Sequence, residues 1–86
     1  MASIRKIHET ILSGRSDTNI RFADLCRLLE YLGFSHRIKG GHYIYWRQGV
    51  EEILNLQALK GGGAKPYQVK QVRLIMLKYR LEISER

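Results

Sequence analysis

Lys39-Gly40-Gly41-His42-Tyr43-Ile44-Tyr45-Trp46 is the stretch whose reading decides the fold. Two glycines admit backbone conformations that a side chain forbids, and an aromatic, β-branched run with strong strand preference follows them. A Gly-Gly pair between two such runs is a hairpin signal. Before it, Phe34 to Lys39 alternates Phe34, His36 and Ile38 with Ser35, Arg37 and Lys39, which predicts a strand; His42 to Arg47 is the strand after it. Gln48-Gly49 is a second turn. Glu52 to Leu59 then reads as a third strand, with Leu54, Leu56 and Ala58 facing one way and Ile53, Asn55 and Gln57 the other. Val50, Ile53, Leu54 and Leu56 also fit part of a helical face. A strand is preferred because a short turn precedes it and a three-strand meander covers its sheet better than two strands would.

Helices flank the strands. Ser3 can cap a short amphipathic helix over residues 3–13, in which Ile4, Ile7 and Ile11 recur at helical spacing before Gly14. Arg15 to Asn19 forms a polar connection. Phe22, Leu25, Leu28, Leu29 and Leu32 make the apolar stripe of a second helix, with Asp24 in its first turn, Gly33 at its end and Cys26 beside the stripe as a small core residue. Lys60-Gly61-Gly62-Gly63-Ala64-Lys65 is a flexible, positively charged loop, and Pro66 opens the last helix. Val69, Val72, Ile75, Met76 and Tyr79 build that helix's buried face, Lys70, Arg73, Lys78 and Arg80 supply charge around it, and Glu82 to Arg86 are expected to fray. The chain is therefore one α+β domain over 1–86, a two-layer sandwich: a helical extension over 1–14, then an αβββα core over 20–81, the order found in double-stranded-RNA-binding domains.

Charge narrows the partners. Among 86 residues, 15 Lys and Arg against 8 Asp and Glu leave a net charge of +7. That attracts polyanions, with nucleic acid the first candidate and an acidic protein the second, although such a charge also serves solubility alone. No apolar run approaches the roughly 18 to 20 residues that cross a bilayer, and the N-terminus lacks the apolar stretch of a secretion signal. With Cys26 the only cysteine, there is no intrachain disulfide and no cysteine cluster for a metal, which fits a reducing, cytoplasmic setting.

Three histidines are candidates for chemistry. His8 reads as a surface residue of the first helix and His36 as a structural strand residue. His42 differs, because it stands where flexible backbone enters a strand, with Arg37, Lys39 and Arg47 nearby in sequence. An imidazole can accept or donate a proton near neutral pH, and the cations suit a phosphate. The plain alternative is a hairpin whose histidine is simply a surface strand residue. Paired metal-ligand spacing, a phosphate-loop lysine motif and a dinucleotide fingerprint are all lacking, so no metal or other cofactor is expected.

Gly40-Gly41-His42-Tyr43-Ile44-Tyr45 resembles the Gly-Ser-His-His-Ile-type motif at the start of the second strand in HicA-family toxins, the mRNA-interferase half of HicA–HicB toxin–antitoxin pairs. The N-terminal Ile-x-x-x-Ile pattern, the Phe-x-x-Leu-x-x-Leu-Leu-x-x-Leu-Gly-Phe helix from Phe22 to Phe34, Asn55-Leu56-Gln57, and Lys-Pro-Tyr-Gln-Val-Lys-Gln-Val-Arg from Lys65 to Arg73 extend the likeness over nearly the whole chain. Gly41 stands where the family usually has serine, and Tyr43 where a second histidine is common; the first histidine is kept as His42.

The resemblance implies a metal-independent endoribonuclease acting on mRNA, silenced by a HicB-type antitoxin, with His42 as general acid or base. Arg37, Lys39 and Arg47 would stabilise charge on the phosphate, with Gly40, Gly41, Lys65 and Lys70 as further RNA contacts. Tyr43 and Tyr45 could stack on unpaired bases. Strict alternation puts His42 on the side of Ile44 and Trp46; whether the glycines twist it off the core or it lies beyond the core's edge stays open. Loss of the serine hydroxyl favours a rival reading, a non-catalytic RNA-binding module or inactivated toxin.

Overall fold

The alternation read on both sides of Gly40-Gly41 is kept in the computed structural model, which describes residues 3–83. Strands β1 (Ser35–Lys39), β2 (His42–Arg47) and β3 (Val50–Leu56) form an antiparallel sheet in the order β1-β2-β3. Helices α1 (Ile4–Ser13), α2 (Phe22–Tyr31) and α3 (Pro66–Tyr79) complete an αβββα arrangement with one extra helix in front. Gly40 and Gly41 both take positive φ, 57° and 84°, as a tight two-residue turn of the type I′ class requires. Lys39 and His42 therefore face each other directly across the hairpin.

One face of the sheet is covered and the other is open. Tyr45 pairs with His36 and Leu54, and Tyr43 pairs with Ile38 and Leu56, so these residues share a face. Tyr45, Leu54 and Leu56 are all 0% exposed and join Leu25, Leu28, Leu29, Val69 and Val72 in one core. His42, Ile44 and Trp46 consequently face away from the helices. The alternation of β2 stands as read, and its core side is the tyrosine side. Burial of Tyr45 rules out its stacking on bases.

The third element is a strand, which disposes of the helical alternative, but it begins at Val50 and ends at Leu56, before the expected Leu59. Its end has a cause: the Gln57 N–H donates to the Gln68 side chain of α3, and the chain then turns away. The glycine loop that follows is anchored. Phe22 N–H donates to the Gly62 carbonyl at 2.9 Å and Ala64 N–H to Ile20 at 2.8 Å. The loop thus satisfies one of the amides at the start of α2, a helix with no side-chain cap. Ser3 accepts from Lys6 N–H and caps α1 as expected, whereas the connection after it contains a short 3₁₀ turn, Asp17–Asn19. Beyond α3, Leu81 is buried; of the end expected to fray, residues 84–86 lie outside the described residues.

Two stability predictions arise from these contacts. Burial first, and then the adjacent Cys26 thiol, push the Tyr45 hydroxyl upward in pKa; burial raises Cys26 as well, which disfavours its thiolate. The Tyr45 hydroxyl is sealed from solvent, and the thiol beside it does not meet hydrogen-bond geometry. Tyr45→Phe removes that unsatisfied group and should stabilise the domain by about 1 kcal/mol, read as a rise of a few degrees in Tm. A lower Tm would show that the hydroxyl has a partner.

Glu52 supplies the second. Its carboxylate accepts from Lys78 Nζ at 2.8 Å and from the Tyr79 hydroxyl at 2.7 Å, and these bonds lower its pKa from 4.5 to about 2. A carboxyl whose folded pKa is depressed stabilises the fold fully above its unfolded pKa and loses that contribution as pH falls through the folded one. Stability should therefore decline between pH 4.5 and about 2, and Glu52→Gln should flatten that part of the acid-unfolding profile.

Candidate nucleic-acid interface

The open face of the sheet carries the candidate site. Lys39, Gly40, His42, Ile44 and Asn55 line a shallow depression at the hairpin end. The register explains the grouping: Lys39 is opposite His42, and Ile44 is opposite Asn55. His42 is exposed, and its Nδ1 lies 3.0 Å from Asn55 Oδ1. Arg37, opposite Ile44, stands on the same face two residues before Lys39, roughly 7 Å along the strand. One imidazole, one ammonium and one guanidinium thus share an open surface. Trp46 (41% exposed) and Ile53 (65% exposed) extend it as an apolar floor toward the other end of the sheet.

The sequence-predicted residues do not all meet there. Arg47 ends β2, five residues and roughly 16 Å from His42, and its side chain packs on Gly33, where an added Cβ would come within 3.2 Å of Nε. It belongs to the opposite end of the strand. Tyr43 is half-buried on the helix-covered face, edge-on to Phe22 at 5.0 Å between ring centroids, and lines a separate cleft with Arg21, Cys26 and Glu30. Adjacent residues of a strand point to opposite faces, so Tyr43, expected as a base-stacking contact, stands behind the sheet from His42, on the side that strict alternation gives it. Lys65 is half-buried, with Nζ 3.4 Å from Gln57 Oε1, near the Asn55 end of β3. Lys70 is exposed on α3, which packs against the covered face and not beside the depression.

Gly40 and Gly41 form the turn that brings Lys39 to His42, and an added Cβ at either would meet nothing within 4 Å. The departure from serine at Gly41 falls on a residue with φ of 84°, where L side chains are strained. His36 stacks on Tyr45 at 5.0 Å, in keeping with a structural role.

Charge alone overcounted the available cations. Arg73 is committed to Asp17, at 2.9 Å and 3.0 Å, and Lys78 to Glu52. Sequence reading missed two residues that matter to the site, Asn55 and Gln68. Gln68 is the one buried polar residue among those described, 5% exposed. A glutamine next to Val69 in the apolar face of the last helix was the available signal.

Among the described residues no group of three or more His, Cys, Asp or Glu side chains could hold a metal ion, and no helix is long and apolar enough to cross a membrane. Comparison with known proteins finds no matching family model, curated protein or solved structure.

Proposed function

We propose that the protein is a HicA-type toxin, a metal-independent endoribonuclease that cuts mRNA in the cytoplasm with His42 as its proton-transfer group. The observation that carries the reading is the solvent-exposed imidazole of His42 directly across the hairpin from the Lys39 ammonium, on a face left open by all three helices. In RNA the 2′-hydroxyl lies beside the phosphate that it can attack. His42 takes the hydroxyl proton, the 2′-oxygen–phosphorus bond forms, and the bond from phosphorus to the 5′-oxygen breaks. The leaving oxygen receives a proton from the imidazolium just formed. Lys39 and Arg37 offset the negative charge gathered on the phosphate. The products are a 2′,3′-cyclic phosphate and a 5′-hydroxyl.

An exposed cationic face with an apolar floor also suits an acidic antitoxin of the HicB type, which would silence the enzyme by covering His42; opposite charges speed such encounters. Incubation of the purified protein with a long unstructured RNA tests the reading. New ends carrying cyclic phosphate and 5′-hydroxyl support the ribonuclease. Salt-sensitive binding without cuts would replace it with a non-catalytic RNA-binding module, the reading that Gly41 in place of serine favours.

A further inference from the structure

Asn55 and Gln68 hold a place in the geometry that the proposed reaction leaves unused. His42 Nδ1 lies 3.0 Å from Asn55 Oδ1. A side-chain carbonyl can only accept, so with Asn55 Oδ1 turned to the ring the contact favours the imidazole proton on Nδ1, which in the neutral ring leaves the Nε2 lone pair available. An unconstrained histidine in water prefers the other tautomer, with its proton on Nε2, and its ring turns freely. We infer that Asn55 is a positioning residue, which sets both the tautomer and the ring orientation of His42 so that Nε2 faces the substrate as the base.

Asn55 is itself held in place. Its backbone carbonyl accepts from Gln68 Nε2 at 3.3 Å, while Gln68 Oε1 accepts from Gln57 N–H at 3.2 Å. The buried Gln68 side chain thus clasps the free edge of β3 on either side of Leu56. Lys65 Nζ closes the group on Gln57 Oε1. The run of support goes from α3 through the β3 backbone to the Asn55 amide, and from there to the ring. An amide suits this position better than a carboxylate. It orients the ring as the third member of a catalytic triad does, yet adds no negative charge beside an incoming phosphate.

The role in cleavage rests on the ribonuclease reading, whereas the tautomer is measurable without any substrate. Long-range proton–nitrogen correlation spectra of the histidine rings, taken above the pH of imidazole titration, should show wild-type His42 protonated on Nδ1. Asn55→Ala should return it to the Nε2-protonated form, and Asn55→Asp should keep it on Nδ1. Because the Asn55 side chain is exposed, neither variant disturbs the core. In RNA cleavage, Asn55→Ala should lower kcat about tenfold to a hundredfold with KM little changed. Asn55→Asp should keep most of kcat but raise KM, since its charge opposes the phosphate. An Nε2-protonated ring in a wild-type protein that cuts RNA overturns the role of Asn55 and leaves the ribonuclease reading standing. An Nδ1-protonated ring in a protein that cuts nothing overturns the ribonuclease reading and leaves the orienting contact in place. Unchanged kcat in Asn55→Ala despite a switched tautomer also overturns the positioning role.

Discussion

Glutamine in place of His42 should lower RNA cleavage by about a hundredfold to ten-thousandfold, the range that a positioned acid–base group contributes. Glutamine keeps much of the size and polarity of the side chain and can still donate to Asn55, but it does not accept a proton near neutral pH. His42 is exposed and outside the core, so the substitution should change stability by no more than about 0.5 kcal/mol. RNA binding should persist with its dependence on salt intact, because Lys39 and Arg37 remain on the same face. This combination separates a chemical role from a structural one: fold and affinity stay, turnover goes. A His42→Gln protein that cuts RNA at the wild-type rate would remove His42 from the reaction. Lys39→Ala should behave differently: in the proposed reaction its ammonium meets the phosphate before and during charge build-up, so the variant should weaken binding at low salt and slow the chemical step together.

Most of the architecture could be read from residue order, because each element carries its own punctuation. Ser3 and Gly14 bracket α1, Pro66 opens α3, and Gly40-Gly41 and Gln48-Gly49 sit at the two hairpin turns. The sidedness of β2 was harder. Tyr43 and Tyr45 on one side and Ile44 and Trp46 on the other are both apolar pairs, so composition does not choose between them. The choice is made by β3, whose two sides are unequal: Leu54 and Leu56 against Ile53 and Asn55. Pairing across the second turn ties Tyr45 to Leu54 and His42 to the side of Asn55. The irregularity there does not disturb this. Two steps from Tyr45 to Arg47 are matched by four from Val50 to Leu54, an even slip that keeps each residue on its face. The candidate site was legible in part. His42, Lys39 and Arg37 follow from the hairpin alone. Arg47 and Tyr43 are near His42 in sequence but do not share its site, since Arg47 is at the other end of the strand and Tyr43 points to the opposite face. Asn55 depends on side chains of two strands meeting across the sheet, which no local pattern announces, whereas Gln68 left one trace, a polar residue beside Val69 in the apolar face of α3.

Arg73→Met should cost about 2 to 3 kcal/mol, a drop of more than about 10 °C in Tm for a domain of this size, without altering the surface around His42. Arg73 Nη1 donates both to the Ile11 carbonyl at 3.1 Å and to Asp17 Oδ1 at 2.9 Å, while Nη2 donates to Asp17 Oδ2 at 3.0 Å. One guanidinium thus joins the end of α1, the connection after it and the middle of α3. It places positive charge at the C-terminus of α1, a helix with no basic residue of its own in the last turn. Gly14 makes room for it; a Cβ there would sit 3.3 Å from Arg73 Cζ, at a φ of 71° that already disfavours a side chain. Side-chain exposure is 14% for Arg73 and 21% for Asp17, so the pair lies between the surface case, worth about 1 kcal/mol or less, and the fully buried case, whose disruption costs about 3 to 5 kcal/mol. Methionine fills much of the space of the arginine stem but leaves Asp17 without its guanidinium and the Ile11 carbonyl with the Gly14 N–H but not the Arg73 donor. Substituting Asp17 by leucine as well should recover part of the loss, because the stranded carboxylate is then gone. At a temperature well below the lowered Tm, Arg73→Met should cut RNA as the wild type does. A loss of cleavage there, in a protein that is still folded, would show that this cation serves the substrate and not the attachment of α1.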